Sequence, residues 1–157
     1  MAWEKEADLA ESLGMRVLKL RTGVVLGAHG GALAKMLPPF KAGMGGKLGP
    51  GDQWMSWIHQ DDLVGIIQHA LDNPVRGPVN GTAPNPLTNG DFTKTLAHAL
   101  SRPAVVPMPV FMLKTMFGEM SEVMLSSQRV LPKAAEAAGY QFRYAELGAA
   151  LRNILAV

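Results

Sequence analysis

Arg16-Val-Leu-Lys-Leu-Arg-Thr-Gly-Val-Val-Leu-Gly27 is the stretch on which the fold turns. Val17, Leu18 and Leu20, and then Val24, Val25 and Leu26, have the branched and apolar character of a strand, and Gly23 and Gly27 punctuate it. Just upstream, residues 3–13 predict a helix. Trp3, Ala7, Ala10 and Leu13, with Ala2 and Leu9 beside them, recur at helical spacing. Glu4, Glu6, Asp8 and Glu11 crowd the early turns, where the helix dipole favours negative charge, and Gly14 is the stop signal. A helix followed almost at once by such a strand is half of a βαβ unit. The strand that would open the unit falls before Trp3 and is not in these residues.

Downstream, Ala32 to Phe40 predicts a short helix ended by Pro38-Pro39. Lys41 to Asp52 holds Gly43, Gly45, Gly46, Gly49 and Gly51 and reads as a loop. Its glycines invite comparison with a phosphate cradle. Neither G-x-x-x-x-G-K-[ST] nor G-x-G-x-x-G occurs in a strand–turn–helix context, so turn-making is the preferred reading. Gln53 to His59 is strand-like and contains Trp54 and Trp57. Asp61 or Asp62 is the expected N-cap of a helix from Leu63 to Asp72. A short strand at Gly77–Gly81 follows, then a helix from Gly90 to Leu100 capped by Thr88 or Asn89. Arg102 to Pro109 is proline-rich and extended. Helices are expected at about 110–118, 119–127, 132–138 and 147–155, with Phe142 to Tyr144 extended. The rhythm is α/β up to residue 101 and mostly helical over 102–157, which sets the expected domain division.

Composition narrows the chemistry. The 157 residues are 48% hydrophobic and 18% charged, which excludes a disordered chain. There is no cysteine, so disulfides, thiolate metal sites and cysteine nucleophiles are excluded. No apolar run reaches the ~18 residues of a membrane span. The N-terminus is charged rather than signal-like, so the cytoplasm is the expected compartment. Fifteen basic against thirteen acidic residues leave a net charge of +2, without the basic runs and interleaved aromatics of a nucleic-acid binder. Between Glu11 and Asp52, however, lie Arg16, Lys19, Arg21, Lys35, Lys41 and Lys47 and no acid. That stretch suits either an anionic ligand, such as a dinucleotide phosphate, or a solvated face.

Several motifs in order carry a resemblance. They are Trp3-Glu4, Arg21 to Leu26, Gly30 to Phe40, Asp52-Gln53 to Asp62 (with its Trp57-Ile-His-Gln-Asp-Asp62 core) and Gln128 to Pro132. Together they make the chain similar to the C-terminal portion of an atypical extended short-chain dehydrogenase/reductase, of the epimerase-family, cell-division-inhibitor-like subgroup. The implied fold is α/β: the C-terminal half of a Rossmann-type enzyme, with a few parallel strands and a mostly helical C-terminal lobe. The implied cofactor is NADP or NAD, bound by a full-length protein and not tightly by this chain alone. The glycine-rich pyrophosphate turn and the Tyr-x-x-x-Lys proton-transfer pair of such enzymes are both missing. Tyr140 and Tyr144 are the only tyrosines, and neither is followed by Lys four residues on. No catalytic residue is therefore assigned.

On the same resemblance, Thr22, Gly23, Val24 and Val25 would touch the nicotinamide end of the cofactor. Gly23 would permit close backbone approach, or would simply end a buried strand. Trp54, Met55, Trp57 and His59 are the candidate substrate residues. Trp54 and Trp57 would flank the cleft or join the core. Met55 stands where relatives place an arginine for a nucleotide-sugar diphosphate, and a thioether cannot replace a bidentate guanidinium. A small substrate other than a nucleotide sugar follows. His59 would serve as an acid/base or order its turn. Arg21 would contact an anion or pair with Asp61 or Asp62. Metal binding by His59 with Asp61 and Asp62 fits no established ligand spacing. Glu119, Glu122, Ser126, Gln128 and Arg129 form a further polar cluster, for substrate contact or lobe packing. Met112, Met116, Met120 and Met124 are spaced for core packing.

The leading functional expectation is a fragment of an NAD(P)-dependent epimerase or oxidoreductase, inactive by itself. The alternative is a non-catalytic binding or regulatory module on the same scaffold. A homodimer through the N-terminal helix or an exposed sheet edge is a third reading. A nucleic-acid or membrane partner is not expected.

Overall fold

A computed structural model describes residues 2–107, 109, 111, 115, 118 and 125–156. The chain opens with α1 (Ala2–Ser12), β1 (Leu18–Thr22), β2 (Val24–Leu26) and α2 (Gly31–Lys41). It continues through β3 (Trp54–Met55), β4 (Trp57–His59), α3 (Gln60–Asp72), β5 (Gly77–Gly81) and β6 (Leu87–Thr88). The remaining described helices are α4 (Asn89–Ala99), α5 (Lys133–Ala137) and α6 (Leu147–Leu155). The α/β, parallel-stranded expectation holds. The helices expected at 110–118 and 119–127, with their methionine stripe, fall mainly outside the described residues.

The strand read from Arg16 to Gly27 is one extended run that changes partner at Gly23. Its first half, β1, runs parallel to β5, with Leu18 opposite Gly77 and Thr22 opposite Gly81. Its second half, β2, runs parallel to β4, with Val24 opposite Trp57 and Leu26 opposite His59. The handover is hydrogen-bonded on both sides: the Gly23 amide donates to the Gly81 carbonyl at 3.0 Å, and the Val24 amide to the Ser56 carbonyl at 2.8 Å. A Cβ on residue 23 would lie 2.6 Å from the Ser56 carbonyl oxygen and 3.0 Å from the Thr82 methyl. Glycine is required there by backbone crowding. The Gln53–His59 run splits at Ser56 for the same reason, because β3 pairs antiparallel with β6 while β4 joins β2.

The α2 helix does not stop at its prolines; Pro38 and Pro39 lie inside it. Each proline removes an N–H and costs about 3 kcal/mol in a helix interior. Leu33, Met36 and Phe40 are buried along one face, each contributing about 1.5–3 kcal/mol. With both prolines near the end of the helix, the packed face prevails. The glycine-rich loop after α2 is held by buried polar side chains. Asn89 Oδ1 accepts from the Leu48 amide at 2.7 Å, and Gln53 Nε2 donates to the Leu48 carbonyl at 3.0 Å.

One core cluster joins Leu26, Trp57 and Phe92 to Leu147 and Leu151, so α4 and α6 pack together over the β2–β4 pair. A second gathers Ile58, Ile66, Val79 and Ala135. The apolar stripe of α1 has little to pack against: Trp3 is 88% exposed and Leu13 74% exposed. This helix is tied down by charge instead, through Glu4–Arg21 and Asp8–Lys19.

The expected cap of α3 is also different. His59, not Asp61 or Asp62, is the N-cap, with Nδ1 accepting from the Asp61 amide at 3.0 Å. Asp62 is fully buried instead. Its carboxylate accepts from the Tyr140 hydroxyl (2.9 Å) and from the Arg143 (2.8 Å) and Tyr144 (2.9 Å) amides. Gly65, one turn further along α3, leaves the room that the Tyr140 hydroxyl occupies; a Cβ there would sit 2.2 Å from it. Burial and the Asp62 carboxylate push the Tyr140 phenol well above its ordinary value.

The strand crossing and the buried phenol each make a measurable difference to stability. Gly23→Ala overpacks the crossing and should lower stability by about 1–3 kcal/mol in urea unfolding. A phenol raised in the folded state stabilises the protein below the unfolded pKa near 10, and that contribution fades as pH climbs towards the folded value. Stability should therefore fall with rising pH above about 10, and Tyr140→Phe should flatten that alkaline slope.

Candidate functional site

A cavity of about 670 Å³ opens where the strands exchange partners. That volume lies within the range of small-molecule and cofactor sites. Its floor is Thr22, Gly23, Val24 and Val25, the end of β1 and the start of β2. One wall is α2, which presents Gly31, Ala32 and Lys35; these residues share a helical face. Trp54, Met55 and Ser56 from β3 and the turn after it form the opposite wall. Asn80 and Thr82 close the end at β5, and Ser126, Gln128 and Val130 lie across the remaining side.

That last segment is laced to the strands by polar bonds. Ser56 Oγ donates to the Gln128 carbonyl at 2.8 Å and accepts from the Val130 amide at 2.9 Å. The Trp54 amide donates to Ser127 Oγ at 3.1 Å, and Asn80 Nδ2 donates to the Leu131 carbonyl at 3.0 Å. The Arg129 guanidinium lies 5.0 Å from the centroid of the Trp54 ring, a cation–π contact that fixes the indole. Met55 is buried, and its sulfur accepts from Asn89 Nδ2 at 3.1 Å.

Six of the eight residues read from sequence as cofactor or substrate contacts are thus brought together here: Thr22, Gly23, Val24, Val25, Trp54 and Met55. Two are not. Trp57 is fully buried in the core and donates from Nε1 to the Asn85 carbonyl at 3.1 Å. Successive side chains of an extended strand point to opposite faces. Trp54 and Trp57 are also separated by the change of partner at Ser56. His59 is 2% exposed. Nδ1 is occupied by the Asp61 amide, Nε2 lies 3.1 Å from Asn153 Oδ1, and the ring stacks on Tyr144 at 4.0 Å. An acceptor Nδ1 implies that Nε2 carries the proton. Both nitrogens are committed, so His59 is not placed to contact a ligand in this cavity.

Arg21 also departs from expectation. It grips Glu4 with two bonds, Nε to Oε1 at 2.7 Å and a terminal nitrogen to Oε2 at 2.8 Å, and makes no pair with Asp61 or Asp62. The guanidinium holds the Glu4 carboxyl below its usual range. Of the polar cluster read from sequence, Ser126 and Gln128 reach the cavity, whereas Glu119 and Glu122 lie outside the described residues. Sequence reasoning did not single out Ser56, Asn80 or Thr82 for the site, because no local signal marks a polar residue that faces a cavity formed by distant strands. Lys35 had one signal, its place in the long acid-free stretch. Among the described residues no group of His, Asp and Glu is placed to hold a metal ion. None of the described helices is long and apolar enough to cross a membrane.

Comparison with known proteins shows what the chain is similar to. An Arabidopsis thaliana protein, "Epimerase family protein SDR39U1 homolog, chloroplastic", is 49% identical over 98% of this chain and 44% of its own length. The crystal structure of human epimerase family protein SDR39U1 (isoform 2) with NADPH superposes with a TM-score of 0.86 at 44% identity. That match covers 90% of this chain and 49% of the human one. Over nearly its whole length the chain is similar to about half of these SDR39U1 proteins. Its fold is that of the extended short-chain dehydrogenase/reductases. The more distant UDP-glucose 4-epimerase of Thermus thermophilus, solved with NAD, shares that fold with a TM-score of 0.75 at 18% identity, over 99% of this chain and 50% of that one. Residues 108–154 match the family described as a domain of unknown function, DUF1731. The chain spans about half the length of the curated relatives it matches.

The Ser56 clamp generates a direct test. Ser56→Ala removes both bonds to the 128–130 segment, and a net loss of about 1 kcal/mol per bond is expected. Amide hydrogen exchange at Val130 should accelerate in this variant while the β2–β4 amides stay protected.

Proposed function

We propose that this chain contributes the nicotinamide-side floor and the substrate wall of an NAD(P)-dependent oxidoreductase or epimerase. The observation behind the reading is the cavity at the Gly23 crossing, with Thr22 to Val25 beneath it. Its residues fit the group. Val24 and Val25 offer an apolar seat for a flat ring, and Thr22 and Asn80 offer polar atoms at its edge. Among the described residues, no acidic side chain lines the space to repel phosphate. The similarity to a human protein solved with NADPH supports the same reading. When bound, the dinucleotide supplies hydride transfer to or from a carbonyl or alcohol carbon. This chain's own residues orient the ring and hold the substrate against Trp54. Met55 is buried and bonded to Asn89, so that position supplies no guanidinium for a sugar diphosphate, which favours a small substrate other than a nucleotide sugar.

A second reading, a non-catalytic binding module, is favoured by one observation. Both tyrosines are engaged away from the cavity: Tyr140 on Asp62, and Tyr144 stacked on His59. Neither is available there as a proton donor. The fragment reading makes the cofactor's remaining contacts, and the proton transfer, the work of residues outside this chain; the cytoplasm is the compartment this reading assigns. Self-association through the exposed Trp3–Leu13 face of α1, or through a sheet edge, would cover apolar surface that is otherwise exposed.

The test is a titration of the 157-residue chain with NADPH, followed by backbone amide resonances. Thr22 to Val25 should shift, binding should be weak, and no NADPH should be consumed with carbonyl substrates. Ala32→Phe fills the cavity from α2 and should weaken binding at least about tenfold, or about 1.4 kcal/mol. Shifts confined to residues away from the cavity would refute the cofactor reading. Sedimentation at rising concentration tests the dimer, and a monodisperse monomer would exclude it.

A further inference from the structure

The charge of the cavity is one-sided. Among the described residues, Arg21 and Lys35 line it and no carboxylate does. The Arg21 charge is already matched by the two-bond grip on Glu4. Lys35 is exposed, and among the described residues it has no ion-pair partner. It stands one turn along α2 from Gly31 and Ala32 and shares their cavity face. The lining is otherwise largely apolar, with Trp54 beside Val24 and Val25. The Trp54 indole is steadied by Arg129, whose guanidinium likewise has no carboxylate partner among the described residues. Lys35, without an ion-pair partner among the described residues, therefore shares the cavity with the aromatic surface of Trp54.

We infer that the substrate held in this cavity is a small organic acid: a carboxylate that pairs with Lys35, on an apolar body that lies against Trp54. The inference deepens the oxidoreductase reading and rests on it for the reaction, but the binding it describes needs no dinucleotide. A lone ammonium is a compact point charge on a flexible stem. It suits a monoanion, whereas a diphosphate would call for the bidentate geometry that Arg21 has given to Glu4. The carboxylate end leaves the carbonyl or alcohol carbon free to lie over Val24 and Val25, where the nicotinamide would sit.

The experiment uses two probes of matched shape, 2-naphthoate and 2-naphthamide. Each is titrated into the 157-residue chain with and without NADPH. The readout is the indole N–H resonance of Trp54, assigned by its loss in Trp54→Phe. The acid should shift that resonance and bind more tightly than the amide. Lys35→Gln should weaken the acid by about three- to fivefold, the scale of one partly exposed ion pair, and leave the amide unchanged. Lys35→Arg should restore binding of the acid. Equal affinity for acid and amide would overturn the inference, as would a Lys35→Gln variant that binds the acid normally. Loss of NADPH affinity alone in that variant would assign Lys35 to the dinucleotide and also overturn it. Lys35-dependent preference for 1-naphthyl phosphate over the carboxylate would replace the carboxylate with a phosphate ester and overturn the assignment. Acid selectivity through Lys35 without any NADPH binding would sustain this inference while refuting the cofactor reading.

Discussion

Three backbones meet at Gly23 with no space for a side chain. The Ser56 carbonyl approaches from one side and Thr82 from the other, and the residue between them donates to Gly81 while its neighbour donates to Ser56. Because the strand passes from β5 to β4 at that point, the residues immediately around it look into the space left by the partner change. A side chain at position 23 would push the strands apart and disturb the register that aligns Val24 with Trp57. The floor of the cavity is thus a by-product of strand pairing, and its composition of small and branched residues follows from the same crowding.

A second constraint holds the remainder in place. Asp62 is a fully buried carboxylate with three donors, and leaving such a charge unpaired would be strongly destabilising. Its donors come from residues 140–144, so the polypeptide leading into α6 is tied to the first turn of α3. His59 works on the same joint. It caps α3 with one nitrogen, meets Asn153 of α6 with the other, and stacks on Tyr144. Groups that look catalytic in the Trp-Ile-His-Gln-Asp-Asp motif are thereby committed to joining the helical C-terminal part to the strands. The cavity is left with arginine, lysine, serine, threonine, asparagine and glutamine as its polar complement, a set better suited to holding a ligand than to moving protons unaided.

Much of the fold is legible in sequence where the signal is local. The helix at Leu147–Leu155, the strand at Gly77–Gly81 and the Thr88 cap all emerge from periodicity and capping chemistry, which depend on residues a few positions apart. Local rules fail where distant contacts outweigh them. Pro38-Pro39 reads as a stop, yet the buried Leu33–Met36–Phe40 face carries α2 through it. Asp61 and Asp62 read as caps, yet Asp62 is captured by Tyr140, Arg143 and Tyr144, far along the chain. Trp3 to Leu13 reads as an apolar stripe at helical spacing, yet Trp3, Leu9 and Leu13 stand exposed.

The α/β rhythm, the glycine at the centre of the strand and the apolar-with-cation character of the residues that end up around the cavity can all be read from the chain before it folds. Composition and spacing are properties of the chain, and the resemblance carried by its motifs adds the family. Which of those residues share a space emerges when the segments pack. Packing separates Trp54 from Trp57, turns His59 inward, gives Arg21 to Glu4 and leaves Lys35 without an ion-pair partner among the described residues. Each of these outcomes depends on contacts between segments separated in sequence, and no local pattern encodes the distance between two such segments once the chain has closed around Gly23.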